Sequence, residues 1–148
     1  MLIGSSSSSM VLVHGETVES EFVPTRPFRV NAGAVHSYIL MADSTTKYLS
    51  ELKMGDEVMV LSSQGEKKTS TVGRTKIEKR PFILFRWLDK NHNEAGALLQ
   101  QAETVRLVDT DGNLIQITQL KKGDTLKGWA NGIGRHVGIP ISAKVVER

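Results

Sequence analysis

The segment Arg26-Pro27-Phe28-Arg29-Val30-Asn31-Ala32-Gly33-Ala34-Val35-His36 brings guanidiniums, a carboxamide and an imidazole together on a stretch without an acid: no Asp or Glu stands between Glu21 and Asp43. Such a segment suits an anion. Arg presents a planar fork matched to carboxylate or phosphate, and Asn and His add donors and acceptors, the imidazole with a proton that moves near neutral pH. Gly33 would let the backbone come close to a ligand. Local composition fits equally well a strand whose arginines turn to solvent.

Those side chains need a scaffold, and 148 residues bury one sizeable core while being short for two full domains. Aromatics make up only 5% of the chain, so the core must be aliphatic. With no cysteine there is no disulfide framework, thiolate nucleophile or cysteine zinc site, and no zinc ligand set is visible. No apolar run approaches the roughly 18 residues of a membrane span, and Met1-Leu2-Ile3-Gly4 is too short and uncharged to open a secretory signal. A soluble protein in the cytoplasm or an organelle matrix is expected. The net charge of +3 is too small to argue for nucleic acid. Its densest part, Lys67, Lys68, Arg74, Lys76, Lys79 and Arg80, reads as a solvated strand face.

Slid along itself, the chain aligns 36–80 with 104–148 without a gap. Leu52, Lys53, Gly55 and Asp56 meet Leu120, Lys121, Gly123 and Asp124, and Asp43, Lys76 and Arg80 meet Asp111, Lys144 and Arg148. Duplication explains this best. Each copy reads strand, polar turn, short strand, Leu-Lys-x-Gly-Asp, strand, basic strand, with single helical turns near Ser50 to Met54 and Thr118 to Lys122. In the shared element Gly supplies an unusual backbone angle, and Asp56 and Asp124 accept backbone N–H bonds that lock the turn. Alternation over Thr69 to Val72 and Thr75 to Lys79 predicts strands with one wet face. Pro81 to Leu88 adds a strand between the halves, and Asp89 to Glu94 a polar loop. The fold expected is all-β: residues 26–148 as a pseudo-twofold, duplicated small β-barrel. Residues 1–25 are expected to be an N-terminal β appendage, the remnant of a preceding domain and its linker. Within them Met10-Val11-Leu12-Val13 is a buried strand, and Leu2 to Val13 lack a partner sheet.

An ordered series of motifs resembles one family over almost the whole chain. It runs through Val13-His14-Gly15-Glu16-Thr17-Val18-Glu19-Ser20, the Arg26 to His36 segment and Thr46-Lys47-Tyr48-Leu49-Ser50-Glu51-Leu52. Val72 to Pro81, Leu99-Gln100-Gln101-Ala102-Glu103-Thr104-Val105-Arg106-Leu107 and Gly134-Arg135-His136 follow. The chain resembles the carboxy-terminal part of 3-dehydroquinate synthase II, whose members carry a long region before the position of Leu2. The resemblance implies NAD-dependent oxidative deamination of 2-amino-3,7-dideoxy-D-threo-hept-6-ulosonate, followed by aldol closure to 3-dehydroquinate in aromatic amino acid biosynthesis. It also implies a cytoplasmic enzyme, or a plastid one in a plant, that needs the preceding region as its partner and is inactive without it. Gly15 stands where the family usually has Ser, Val137 where it has Phe, and the loop Trp87 to Ala97 is distinctive. These departures bear on specificity more than on fold.

That chemistry needs a carboxylate anchor, a base for the ammonium group and an acid/base for enolisation. Arg29 is the first choice for the anchor. Arg26 comes second because Pro27 can hold it in a structural corner, and Asn31 can orient a carbonyl or hydroxyl. His36 and His136 are the acid/base candidates, since neither recurs at the matching place of the other repeat. Glu103 could polarise a histidine or hold a ribose hydroxyl, Arg135 sits among small residues that admit a ligand, and His14 with Glu16 could complete a site shared between domains. Gly132-Ile133-Gly134 lacks the strand, helix and third glycine of a dinucleotide loop, so the NAD site is expected mostly in the preceding region. The competing expectation is a free-standing barrel binding an anionic ligand or nucleic acid through its basic strand. Scarce aromatics weigh against stacked single strands.

Overall fold

The structure is a computed structural model and describes residues 1–20, 23–62 and 64–131, together with the backbone of two short strands beyond them. Thirteen strands follow in order: β1 (Leu2–Gly4), β2 (Ser9–Leu12), β3 (Tyr38–Leu40), β4 (Thr46–Tyr48), β5 (Glu57–Leu61), β6 (Lys67–Thr71), β7 (Phe82–Leu88), β8 (Glu94–Gln100), β9 (Arg106–Val108), β10 (Leu114–Gln116), β11 (Gly128–Ala130), β12 (Arg135–His136) and β13 (Ile139–Pro140). The only helical pieces among the described residues are the 3₁₀ turns Leu49–Glu51 and Ile117–Gln119. The molecule is all-β, as the alternating patterns require.

Five antiparallel strands form the central sheet in the order β11-β2-β1-β3-β4. Its registers include Ile3 opposite Val11, Ile3 opposite Ile39 and Met10 opposite Trp129. Both faces are covered. Ile3, Val11, Val13 and Ile39 pack with Leu99 and Leu107 on one side, and Leu2, Met10, Leu12 and Leu40 with Met59 and Val108 on the other. A strand buried on both faces has no wet side, which is why Met10 to Val13 is apolar throughout instead of alternating.

Two expectations about strand partners are corrected. Leu2 to Val13 do not lack a sheet: β1 and β2 are its middle, paired with strands from both halves of the chain. Thr75 to Lys79 carry a strand pattern but pair with no described strand, and residues 73–80 are all exposed. Alternation reports which surface the side chains suit, and says nothing about where the opposing strand comes from.

The segments related by 68 positions make the same bonds. Leu49 N–H donates to the Ser37 carbonyl and Ile117 N–H to the Val105 carbonyl, each at 2.9 Å. Tyr38 faces Tyr48 as Arg106 faces Gln116, and the bridge between Met41 and Val58 is matched by that between Asp109 and Leu126. Lys53 N–H donates to Asp56 Oδ2 at 2.8 Å, and Lys121 N–H to Asp124 Oδ2 at 2.7 Å. The aspartates fix turns, as their place in the Leu-Lys-x-Gly-Asp element suggests. Gly55 and Gly123 have φ of 94° and 99°, and an added Cβ at either would meet nothing within 4 Å. The cost of a side chain there is backbone strain alone. Gly55→Val and Gly123→Val should each destabilise the chain by about 1–3 kcal/mol in denaturant melts.

Candidate functional site

The chain leaving β2, in the middle of the central sheet, runs directly into the first group of polar candidates. Val13 bridges to Leu107, and His14 N–H donates to the Arg106 carbonyl at 2.9 Å. Two residues on, Glu16 is gripped by the backbone on both sides: its N–H donates to the Arg29 carbonyl at 2.9 Å and its carbonyl accepts from Arg26 N–H at 2.6 Å. Arg29 N–H returns to the Arg26 carbonyl at 2.9 Å. The Arg26-Pro27-Phe28-Arg29 stretch is therefore a tight turn, with Phe28 out in solvent at 87% exposed. The Glu16 carboxylate is buried and pairs with Arg29 Nε at 3.4 Å.

Arg106 is a candidate that the sequence analysis passed over. It is only 7% exposed, and among the described residues its guanidinium makes one long hydrogen bond, to the Val18 carbonyl at 3.5 Å. No described carboxylate forms an ion pair with it. A buried cation without a counter-ion is costly, and a bound anion would relieve that cost. The signal was present as a lone charge between Val105 and Leu107. A three-residue strand, however, is too short for alternation to say which way the charge points. Beside it, His14 Nδ1 is buried without a hydrogen-bond partner. Burial holds the His14 imidazole below its usual pKa, and the Arg106 guanidinium pushes the same way. The neutral imidazole is favoured, with a ring nitrogen free to accept a proton.

The sign of that shift gives a test. The unfolded chain takes up a proton at His14 first, as pH falls through 6.5, so the stability linked to this group is complete above that pH and lost below it. The readout is therefore the difference between wild type and His14→Gln: the variant should lose less melting temperature between pH 7.5 and 5.5.

The remaining candidates lie elsewhere along the same segment or beyond it. Asn31 Nδ2 donates to Gln100 Oε1 at the end of β8, and Ala34 N–H donates to the Leu98 carbonyl at 3.1 Å. Residues 29–36 thus run as irregular backbone anchored on β8, and the close approach at Gly33 is to the Leu98 carbonyl. His36 is exposed and lines a shallow depression with Ser5, Tyr38, Tyr48 and Ser50, where the tyrosine hydroxyls bond at 2.8 Å. None of His14, Glu16, Arg26, Arg29 and Arg106 lines that depression. Glu103 is half-buried, with Oε1 buried and unpartnered. Arg135 and His136 fall in β12 opposite Pro140 and Ile139; their side chains, like Gly132 to Gly134, lie outside the described residues. The structure brings together His14, Glu16, Arg26 and Arg29 and adds Arg106. It groups neither His36, Asn31 nor Glu103 with them. Among the described residues there is no group of three His, Asp or Glu set to hold a metal ion, and no helix is long and apolar enough to cross a membrane.

The family model described as the 3-dehydroquinate synthase II C-terminal domain matches residues 1–148. The chain is 48% identical to a 3-dehydroquinate synthase from Methanosphaera stadtmanae, covering 100% of this chain and 41% of that protein. It is 49% identical to one from Methanococcus maripaludis, again over 100% of this chain and 41% of the relative. With a 3-dehydroquinate synthase homolog from Aquifex aeolicus the identity is 46%, over 100% and 44%. The chain therefore spans less than half the length of these relatives. No solved structure matches it.

Proposed function

Since the chain belongs to the 3-dehydroquinate synthase II family as its C-terminal domain, we propose that it supplies the anion-holding half of an active site completed by the region preceding it in the longer relatives. The reaction is the NAD-dependent oxidative deamination of 2-amino-3,7-dideoxy-D-threo-hept-6-ulosonate and its cyclisation to 3-dehydroquinate. One observation carries this reading: Arg106 is buried, has no carboxylate partner among the described residues, and stands next to a buried imidazole nitrogen without a hydrogen bond. The substrate's carboxylate is the missing counter-ion. Arg106 forms the inner contact and Arg29 the outer one, while Glu16 holds the Arg29 fork in place. Neutral His14 takes the proton of the substrate ammonium group. His36, Glu103 and His136 remain candidates for the later enolisation step, with Asn31, Arg26 and Arg135 for substrate contacts.

NAD does not fit the described residues. A dinucleotide pyrophosphate is held where a glycine loop opens a helix, and the helical pieces here are three residues long. We assign the cofactor to the preceding region. The same reading keeps the domain as a closed, duplicated barrel, supported by the backbone bonds repeated at a spacing of 68 positions. Where the first copy has the tyrosine pair Tyr38 and Tyr48, the second has Arg106 and Gln116. A residue needed only for folding should recur, and Arg106 does not.

NADH formation by the intact enzyme tests the proposal. Arg29→Ala should raise KM for the amino-heptulosonate about 10-fold and leave kcat close to wild type, because an outer charged hydrogen bond is worth roughly 1.5 kcal/mol. An unchanged KM in a folded variant would remove Arg29 from the site. The basic stretch gives little support to a nucleic-acid reading, since Lys76 and Arg80 are already paired to Glu78 at 2.8 and 3.2 Å.

A further inference from the structure

Beyond the anion site, one stretch has the sequence of a paired strand and the surroundings of an unpaired one. Residues 73–80 are exposed throughout, and none of their backbone amides donates a hydrogen bond to another described residue. Lys76, Glu78 and Arg80 line one side as an ion-paired row, the period of an extended chain. Ile77, on the other side, is 70% exposed.

The chain then turns into β7, which pairs with β8 alone and leaves its outer edge open among the described residues. On its inner side Phe85 is buried and Ile83 and Trp87 pack on the core, with Trp87 Nε1 donating to Ser9 Oγ at 3.1 Å. On its outer side Leu84 and Leu88 are 55% and 63% exposed, and Phe82 is exposed as well. Single exposed apolar residues are ordinary. Four within one hairpin arm and its lead-in, beside an open strand edge, mark a contact surface.

We propose that residues 73–88, with the outer face of β7, are the docking edge for the polypeptide that precedes this domain in the longer relatives. That occupant is favoured because the matched relatives have more than half their length outside this chain, and the match is to a C-terminal domain, so that length precedes it. An edge strand with an apolar outer face accepts another strand or a packed apolar surface. Arg74, Lys79 and Arg86 around it set the partner's rim as acidic. This rests on the chain being the C-terminal domain of a longer enzyme, and does not depend on the anion site.

Amide hydrogen exchange over 73–80 should be fast in the 148-residue chain at all concentrations. In the aligned segment of the intact Methanosphaera stadtmanae relative it should be at least about 10-fold slower. Fast exchange in both proteins would overturn the proposal. So would slow exchange in the 148-residue chain, which would mean that its own residues cover the edge, or, where slowing appears only at high concentration, a second copy. A paired substitution guards against ambiguity. Leu84→Lys with Leu88→Lys should leave the melting temperature of the 148-residue chain unchanged, because both side chains already face water, and the aligned double substitution should lower that of the intact relative by several degrees. Equal effects in the two proteins would sink the idea. Neither readout uses NADH formation, so a failure here stands apart from a failure of the proposed activity.

Discussion

Arg106→Met is expected to move stability and substrate binding in opposite directions. Arg106 is 7% exposed and, among the described residues, its guanidinium holds a single long hydrogen bond and no ion pair, so little in the described structure offsets its desolvation. Met has a similar length and no charge, and replacing a buried charge by a packed apolar side chain is commonly neutral to stabilising, by about 1–4 kcal/mol. The 148-residue chain should therefore melt at the same temperature or higher. If the guanidinium waits for the substrate's carboxylate, the same substitution removes a charged hydrogen bond worth roughly 1.5–3 kcal/mol, which raises the substrate's apparent Kd about 10- to 150-fold in the intact enzyme. Two independent instruments read the two arms. A variant that loses stability and keeps its substrate affinity would make Arg106 a structural cation and would withdraw the observation on which the proposed function rests.

What could be read from the sequence divides along the range of the interactions. The Leu-Lys-x-Gly-Asp turns were legible because everything that makes them lies within four residues: a glycine at positive φ, and an aspartate that accepts the N–H three positions earlier. The hairpin of β9 and β10 was legible for the same reason, its turn closing on Asp109 Oδ1, which accepts from Asp111 and Asn113 N–H. The position of β1 and β2 was not. Their partners β3 and β11 come from opposite ends of the domain, and no local pattern states a pairing partner that distant. The site divides similarly. Glu16 and Arg29 attract attention by residue type, but burial turns Arg106 and His14 from ordinary polar residues into chemical candidates. Burial there follows from β9 pairing beside the residues that lead to His14, through the Val13–Leu107 bridge, a fact of tertiary structure.

Gly33→Val should be the most damaging single change in the Arg26 to His36 segment. Gly33 has φ of 116°, so any side chain there bears the backbone strain that Val would bear at Gly55, about 1–3 kcal/mol. At Gly55 the space beyond is open, whereas at Gly33 an added Cβ would lie 2.7 Å from the Leu98 carbonyl oxygen and 3.1 Å from Leu99 Cδ2. Strand β8 cannot yield, because Leu99 is fully buried in the core. The segment must move instead. Movement breaks the hydrogen bond from Ala34 N–H to the Leu98 carbonyl and the bond from Asn31 to Gln100. Overpacking of this kind adds about 1–3 kcal/mol, for a total of roughly 2–6 kcal/mol against 1–3 for Gly55→Val. Denaturant melts of the two variants compare these directly, and equal losses would show that the contact with β8 is loose. The displaced segment carries the Arg29 carbonyl, which accepts from Glu16 N–H. In an intact enzyme that still folds, Gly33→Val should therefore raise KM at least as much as Arg29→Ala, although Gly33 touches no substrate in the proposed site. A folded Gly33→Val enzyme with wild-type KM would mean that the β8 anchor does not position Arg29.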